Sequence, residues 1–244
     1  MWHDYIMTAT LLKLKELALD ALFPPLCLWC RKILAAEGKE RNLCDTCFDC
    51  IPVRTAYTCP TCGARLANME SACHRDMPLH LAAAAPYSHE IVQRLILDLK
   101  YRRMTAAAMP LAHLIAKHLT HIRLPRESMV LVPLPLYPAR KRKRGFNQSE
   151  LIAELLAPKL GIAPETTALA RVKNTLPQAN IEHKDARARN VAGAFAVRRS
   201  EKIRSKTILL LDDVLTTGAT MAEAARTLKA AGARRIIAVV AAKA

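Results

Sequence analysis

Residues 208–220 have the sequence ILLLDDVLTTGAT, and this stretch decides the fold. Its four leading apolar residues predict a strand covered on both faces, and the alanine-rich periodic segment 221–231 predicts the helix that follows. The turn between them then opens a helix, where free backbone N–H groups attract a phosphate. We expect five consecutive residues to hold that phosphate: Thr216, Thr217, Gly218, Ala219 and Thr220.

Asp212 and Asp213 precede this turn, at the carboxyl end of the predicted strand. Carboxylates accept hydrogen bonds, so beside a phosphate they suit the vicinal hydroxyls of a ribose. Asp and Thr also cap ordinary helices, so each feature alone is weak. Together the thirteen positions resemble the ribose-5-phosphate signature of type I phosphoribosyltransferases. The resemblance implies that Asp212 and Asp213 hold the ribose hydroxyls of phosphoribosyl pyrophosphate and that the turn holds its 5-phosphate.

Length and composition allow one full core with a small appendage, since the chain has 244 residues and is 52% hydrophobic. It contains no run of eighteen uncharged apolar residues that would span a membrane. Charges interrupt the apolar segment 11–22, which argues against a signal peptide and favours an amphipathic packing helix over residues 1–22. We expect a cytoplasmic protein, or one held at the inner membrane through a partner.

Charge and cysteine divide the chain at residue 80. Residues 1–80 carry nine bases and nine acids, so the net charge of +16 comes entirely from residues 81–244. All eight cysteines lie in the neutral part. We therefore expect a cysteine-rich zinc-binding domain over residues 23–80 and a basic domain over residues 81–244.

The cysteines form repeated pairs separated by two residues, a spacing typical of zinc knuckles rather than disulfides. One complete tetrad follows in chain order: Cys27, Cys30, Cys44 and Cys47. Three further cysteines would ligate a second zinc: Cys59, Cys62 and Cys73. Its fourth ligand could be His74, Asp76 or Cys50, and the spacing equally permits the first pair to combine with the third. Zinc held by four protein ligands has no open position, so its role would be structural.

Beyond residue 80, helical and strand patterns alternate, which predicts an α/β fold with a doubly wound, mostly parallel sheet. Helices are expected over 90–103, 111–119 and 147–156, with Asn147 as a cap and Pro158 and Gly161 as the end of the last one. Strands are expected over 129–134, 192–197 and 235–240.

Five consecutive bases follow the strand that ends at residue 134: Arg140, Lys141, Arg142, Lys143 and Arg144. Such a run is often a solvated loop. Here it would lie at the carboxyl end of a strand, where open α/β sheets bind ligands. If this strand neighbours the one ending in Asp213, the bases could neutralise a pyrophosphate together with Mg²⁺, or they could bind a nucleic-acid backbone. The sequence permits both.

The order of these features resembles the ComF family, which includes competence proteins and GntX-like proteins. The resemblance rests on the cysteine pairs, the proline-bounded strand, RGFNQSE at residues 144–150, Arg189 with Asn190, and DDVLTTGAT. It implies a zinc-binding segment joined to a type I phosphoribosyltransferase-like domain. It also implies a role in moving transforming single-stranded DNA inward. Asp76 stands where the family has a further cysteine, which bears on the second zinc.

Two functions follow from this reading. In the first, the protein binds phosphoribosyl pyrophosphate or a related ribose phosphate and acts in natural competence, with single-stranded DNA and other competence proteins as partners. In the alternative, it is an active phosphoribosyltransferase that transfers phosphoribose to an unidentified acceptor and releases pyrophosphate. We favour the first and leave transferase activity open, because no residue set identifies an acceptor.

Overall fold

The structure is a computed structural model that describes residues 19–20, 22–68, 74, 79–124, 128–176 and 184–244. The predicted helix over residues 1–22 lies almost wholly outside these ranges. The backbone packs into two compact units, Met1–Cys50 and Ile51–Ala244. The domain boundaries expected at residues 22 and 80 stay predictions.

The first unit is built around a short turn and two short helices, α1 (Ala36–Arg41) and α2 (Asp45–Asp49). Leu26 bridges to Ile33, and the N–H of Cys27 donates to the carbonyl of Lys32 at 2.8 Å. These contacts close a tight turn around the first cysteine pair. Leu43 is fully buried and anchors the unit between the two helices.

The second unit contains a six-stranded sheet in the order β2-β1-β3-β8-β7-β4, together with a separate antiparallel pair, β5 and β6. The four strands β3, β8, β7 and β4 are parallel, whereas β1 and β2 are antiparallel additions at one edge. The strands are β1 (Tyr57–Thr58), β2 (Arg65–Leu66), β3 (His80–Pro86), β4 (Met129–Pro133), β5 (Leu169–Arg171), β6 (Phe195–Val197), β7 (Thr207–Leu215) and β8 (Arg235–Lys243). The helices are α3 (Glu90–Tyr101), α4 (Ala108–His121), α5 (Pro138–Arg144), α6 (Gln148–Leu160), α7 (Lys184–Val191) and α8 (Ala219–Ala230), with 3₁₀ turns at Thr105–Ala107 and Ser200–Lys202.

Strand β7 lies in the parallel part of the sheet and is covered on both faces, as its apolar run predicts. The side chains of residues 208–211 are fully buried. Ile208 and Leu210 belong to a buried cluster with Met221 and Ala225 of α8. Successive strand residues point to opposite faces, so Leu209 and Leu211 face the layer where α4 and α6 pack on the sheet. The predicted α/β class with a mostly parallel sheet is confirmed.

Strand β3 was not predicted by the sequence pattern, because alanine is depleted in strands. Its residues 81–85 are nevertheless fully buried, and it pairs with β8 along most of its length. Helix α4 packs on this strand, and the short alanine side chains leave room for it. Tertiary packing therefore outweighs local propensity here.

Two further boundaries differ from expectation. Helix α6 continues through Pro158 to Leu160, because the proline sits in its last turn, where only one backbone hydrogen bond is lost. Strand β6 begins at Phe195 instead of residue 192, because α7 extends to Val191 and a turn with Gly193 at φ 63° follows. Within the described ranges, no helix is long and apolar enough to cross a membrane.

Candidate functional site

The site forms where β4 ends beside β7, which continues through the acidic pair to Leu215. Pro133 is the register partner of Leu211, and the N–H of Leu134 donates to the carbonyl of Leu211 at 2.8 Å. The two strands are therefore neighbours, as the sequence argument for a shared crevice requires. The segment after β4 and the acidic pair of β7 meet at the carboxyl edge of the sheet.

The turn after β7 brings a helix N-terminus to this edge. Gly218 has φ 78° and caps α8, a backbone conformation that residues with a Cβ adopt at a cost. Helix α8 begins at Ala219, two residues earlier than expected. The first-turn N–H groups of a helix have no intrahelical acceptor, so this turn is suited to an anion.

A cavity of about 340 Å³ opens over the turn and joins most of the predicted ligand residues. This volume is in the range of small-molecule sites. All five turn residues line it, together with Asp212 and the bases Lys100, Arg140, Arg144, Arg171 and Arg187. Its wall therefore offers carboxylate, backbone donors and guanidinium groups within one space.

The basic run is a helix, not the loop that the sequence predicted. Pro138 occupies the first turn of α5, and Gly145 at φ 93° ends the helix, so both terminal residues favour helix over loop. Because residues four apart share a helix face, Arg140 and Arg144 both line the cavity. The three bases between them are exposed: Lys141, Arg142 and Lys143.

Asn147 fixes the next helix to the end of β4. Its Oδ1 accepts from the N–H of Ser149 at 3.1 Å, which confirms the predicted cap of α6, and its Nδ2 donates to the carbonyl of Leu134 at 3.0 Å. The buried Ser149 hydroxyl then donates to Asp212 Oδ1 at 2.8 Å. The cap thus aims a serine at the acidic pair.

The two aspartates have different surroundings. Asp212 is partly exposed and lines the cavity, whereas the side chain of Asp213 is 1% exposed and does not line it. Lys100 Nζ lies 2.8 Å from Asp213 Oδ1. Burial disfavours the charge of Lys100, but Asp213 and Asp212 outweigh burial and raise the pKa of the ammonium. Burial, then the charge of Asp213, raise the pKa of Asp212 to about 6, against the lowering effects of Lys100 and Ser149.

Arg171 is a buried base that the sequence analysis did not identify. It lies over the Phe195 ring at 5.5 Å and donates to Thr175 Oγ1 at 2.6 Å, while its Nε has no partner within the described residues. Burial and the charge of Arg140 lower the pKa of Arg171 to about 10. Two bases held together in this way favour an anion between them.

The first cysteine tetrad comes together in space. The Sγ atoms of Cys27, Cys30, Cys44 and Cys47 all lie within 4.8 Å of one another, and those of Cys30 and Cys44 are 3.6 Å apart. A tetrahedron with Zn–S bonds of about 2.3 Å has S–S edges of about 3.8 Å. Burial opposes ionisation of Cys27, but backbone N–H groups of Cys44, Cys30 and Trp29 lower the pKa of its thiol to about 7. The donor set fits a closed zinc site.

A second group lies in the other unit, on the turn between β1 and β2. The ligand atoms of Cys59, Cys62 and His74 lie within 4.8 Å of one another, and Cys59 Sγ is 3.5 Å from His74 Nδ1. The cysteine pairs therefore combine in chain order, not interleaved. Cys73 and Asp76 fall outside the described residues. Cys50 lies in the first unit, where its thiol donates to the carbonyl of Cys47 at 3.2 Å.

Comparisons with known proteins agree with these two parts. Residues 146–244 match the phosphoribosyl transferase domain model, and residues 18–76 match the double zinc ribbon domain model. The chain is 31% identical over 224 residues to the DNA utilization protein YhgH of Salmonella typhimurium, covering 87% of this chain and 94% of that protein. The chain belongs to the ComF family.

Two relatives carry competence in their names. Competence protein F of Haemophilus influenzae is 33% identical over 135 residues, covering 55% of this ComF-family chain and 57% of that protein. Competence protein ComFC of Bacillus subtilis is 26% identical over 199 residues, covering 78% of each. The chain thus has relatives that are named for competence, and it has a phosphoribosyltransferase-like domain.

In this ComF-family chain, the structure gathers the turn residues, Asp212, Arg140 and Arg144 at one cavity, and leaves Asp213 beneath it. Sequence reasoning missed Lys100, Ser149 and Arg171. Ser149 lies inside the RGFNQSE segment and follows a predicted cap, so the sequence feature that could have identified it is this segment. Lys100 was visible as a base off the apolar stripe of its helix, whereas Arg171 had no distinguishing pattern.

Proposed function

We propose that this protein binds phosphoribosyl pyrophosphate, or a related ribose phosphate, together with Mg²⁺, and that it acts in natural competence during uptake of transforming single-stranded DNA. The observation that carries the first part is the single cavity that joins the first turn of α8, Asp212 and inward-facing arginines. A sugar bearing phosphates at two ends needs these three kinds of group at once.

Each part of the ligand has a matching group in the cavity. The 5-phosphate accepts from the backbone N–H groups around Gly218. The ribose hydroxyls donate to the carboxylate of Asp212. The pyrophosphate lies against Arg140, Arg144 and Arg171, whose planar guanidinium groups suit phosphate oxygens. Mg²⁺ would enter with the ligand and would lower the repulsion between its phosphates.

The outward side of α5 is a separate basic surface, and we assign single-stranded DNA to it. Arg142 and Lys143 are exposed there, and Arg103 Nη2 donates to the carbonyl of Lys143 at 2.8 Å. This bond brings the end of α3, with the exposed Arg102, next to α5. Backbone phosphates bind such a cluster by releasing counterions. Ligand and DNA would therefore use opposite faces of the same basic helix.

Zinc would have a structural role and would stabilise the folded conformation of the cysteine-rich segments. The tetrad of Cys27, Cys30, Cys44 and Cys47 would hold one ion, and Cys59, Cys62, His74 and Cys73 would hold another. The first unit is small, so metal ligation would supply much of its folding free energy.

A second function, transfer of phosphoribose to an acceptor, is favoured by one further observation. Tyr87, Leu97 and Tyr101 also line the cavity, and they would pack against a planar or apolar acceptor beside the ribose. Release of pyrophosphate by the purified protein, measured with single-stranded DNA or free bases as acceptors, would establish transfer. A ligand that is bound but never consumed would leave binding as the function.

Equilibrium dialysis with labelled phosphoribosyl pyrophosphate and Mg²⁺ tests the ligand. We expect unlabelled ribose 5-phosphate and pyrophosphate each to compete only weakly, since each fills part of the cavity. Gly218→Ala places a Cβ at φ 78° in the phosphate turn and should lose binding. Gly161→Ala is the matched control, because Gly161 also has positive φ, 67°, but lies outside the cavity. Equal retention by both variants would contradict the assigned phosphate site.

A transformation assay tests the cellular role. In a naturally competent host that lacks its own copy, the wild-type chain should restore the frequency of transformation. The Arg142→Ala/Lys143→Ala variant should restore less, since its DNA surface is reduced. Full restoration by this variant would exclude the outward face of α5 from DNA uptake.

A further inference from the structure

We propose that the segment around the first cysteine pair contacts the surface of an anionic lipid bilayer directly, through a group of exposed apolar side chains. These side chains, which we call the turn surface, are Leu22, Phe23, Leu26, Trp29 and Ile33. All of them belong to the first compact unit. The inference goes beyond the proposed function and does not depend on the ribose-phosphate site.

Large apolar side chains are exposed mainly in this part of the protein. Six of the ten exposed large hydrophobic residues in the described ranges lie within residues 19–33. Phe23 and Ile33 are 75% and 69% exposed. A single exposed apolar residue is ordinary, whereas a concentration of them in one short segment marks a contact surface.

Hydrogen bonds hold the two arms of the turn side by side. Leu26 and Ile33 are partners in an antiparallel bridge. The residue after Leu26 donates its N–H to the carbonyl of the residue before Ile33 at 2.8 Å, and the residue after Ile33 donates to the residue before Leu26 at 2.8 Å. A pair flanked by such bonds is of the non-hydrogen-bonded kind, in which the two side chains are close and lie on the same face. The turn therefore presents neighbouring apolar side chains in a fixed arrangement.

The charges beside the turn surface have the sign that lipid phosphates attract. Arg31 and Lys32 lie in the same turn, are exposed, and form no ion pair with any residue that the structure describes. Residues 22–33 contain no acid. Elsewhere in this unit, Asp20 and Asp45 pair with other bases. Anionic lipids attract each base near the bilayer surface, so the two bases would add to the apolar contact.

The kinds of side chain favour a bilayer over a protein partner. Residues 22–33 contain no Ser, Thr, Asn, Gln, Tyr or His, so the turn surface has no rim of neutral hydrogen-bonding side chains. Protein interfaces usually have such a polar rim, with about one hydrogen bond per 100–200 Å². Aromatic and aliphatic side chains next to Arg and Lys instead suit the lipid–water interface, where rings lie at headgroup depth and bases reach the phosphates.

Flotation of the zinc-loaded full chain with lipid vesicles tests the contact. The vesicles contain phosphatidylcholine alone or with about one third phosphatidylglycerol. The wild-type protein should float with the anionic vesicles, and Phe23→Ser/Ile33→Ser should weaken this binding at least about tenfold, because two apolar side chains no longer enter the interface. Leu176→Ser is the matched control, since it changes an exposed leucine of the other unit, and it should bind like the wild type.

Replacement of the two bases tests the electrostatic part. Arg31→Asn/Lys32→Gln should reduce the preference for anionic over neutral vesicles about tenfold. Asparagine is chosen at position 31 because the backbone there has φ 64°, which asparagine tolerates. An unchanged preference in this variant would contradict the role of the bases.

Fluorescence of Trp29 tests insertion without altering the turn surface. Trp2→Phe leaves Trp29 as the only tryptophan of the chain. On anionic vesicles its emission should shift to shorter wavelength, and lipids brominated near the headgroup should quench it. Emission that stays at the aqueous wavelength on vesicle-bound protein would overturn the inference, even if Phe23→Ser/Ile33→Ser fails to fold.

Two other results would assign the turn surface to something else. Vesicle binding that salt abolishes and that a folded Phe23→Ser/Ile33→Ser variant retains in full would place the lipid contact on other basic residues. A dimer that sedimentation velocity detects in the wild type, and that this variant loses, would make a second copy of the chain the occupant. Either result would overturn the inference, and neither bears on whether phosphoribosyl pyrophosphate binds.

Discussion

Ser149 Oγ donates a 2.8 Å hydrogen bond to Asp212 Oδ1, joining two residues that are 63 positions apart in the chain. The bond links the helix that follows the basic run to the strand that carries the acidic pair. Because Asn147 caps that helix and also binds the end of β4, the serine is held in place from two sides. The orientation of the Asp212 carboxylate thus depends on the first residues of α6.

Replacement of that serine tests its role directly. Ser149→Ala should raise the pKa of Asp212 further and weaken ligand binding about tenfold at pH 6, because a hydrogen bond to the charged form is lost. The deficit should shrink at pH 8, where Asp212 is ionised in both proteins. Ser200→Ala, in a 3₁₀ turn away from the cavity, serves as the control. A loss of affinity that is independent of pH would argue for a steric role instead.

Asp212 should also destabilise the fold near neutral pH. The folded state raises the pKa of Asp212 from 3.8 to about 6, so the folded protein binds this proton more tightly than the unfolded chain does. The resulting contribution to the free energy of unfolding is fully present below pH 3.8 and is lost as the pH rises through 6. Asp212→Asn should therefore raise the free energy of unfolding at pH 7.5, by an amount on the order of 1–3 kcal/mol. At pH 4.5 the gain should be much smaller. Urea denaturation at both pH values measures this, and an equal gain at both would contradict the assigned pKa.

The two faces of α5 should separate ligand binding from DNA binding. Arg140→Ala/Arg144→Ala should lose affinity for the ribose phosphate by at least about tenfold. Its matched control, Arg142→Ala/Lys143→Ala, should retain the ligand. For single-stranded DNA, measured by fluorescence anisotropy, the outward variant should reduce the slope of log affinity against log salt by about 1.4, since two phosphate contacts are lost. Equal effects of both variants on both ligands would show that the helix does not divide these roles.

Zinc content should distinguish the ligands from the spare cysteine. Cys44→Ser and Cys62→Ser should each lose about one zinc per chain, because each removes a ligand from a different group. Cys50→Ser is the control and should keep the full content, since its thiol bonds to the Cys47 carbonyl instead. Atomic emission spectroscopy gives the count. Zinc loss in Cys50→Ser to the same extent as in Cys62→Ser would make Cys50 the fourth ligand of the second group.

The sequence was sufficient to predict a helix or strand where one short segment contained both that element and its boundary. The apolar run before Asp212 predicted β7, and Asn147 predicted the cap of α6, because each signal is local. For the cysteines, the spacing permitted two ways of combining the pairs, and the structure brings together the tetrad in chain order.

Other features depend on contacts that no local pattern contains. The alanines of β3 form a strand only because β8 and α4 enclose them. Lys100 forms an ion pair with Asp213, which lies far along the chain on a different element. Arg171 lies on a three-residue strand whose burial comes from Phe195 and the cavity wall. Residues 140–144 are all basic, so their sequence does not show which of them face the cavity. The helix places Arg140 and Arg144 at the cavity and leaves the three bases between them exposed.

Calorimetric titration with phosphoribosyl pyrophosphate and Mg²⁺ tests the central claim most directly. The account predicts saturable binding of one ligand per chain by the wild-type protein and by Arg142→Ala/Lys143→Ala. It predicts affinity at least about tenfold weaker for Asp212→Asn. Absence of binding by the wild-type protein, or equal binding by Asp212→Asn, would contradict the ribose-phosphate site.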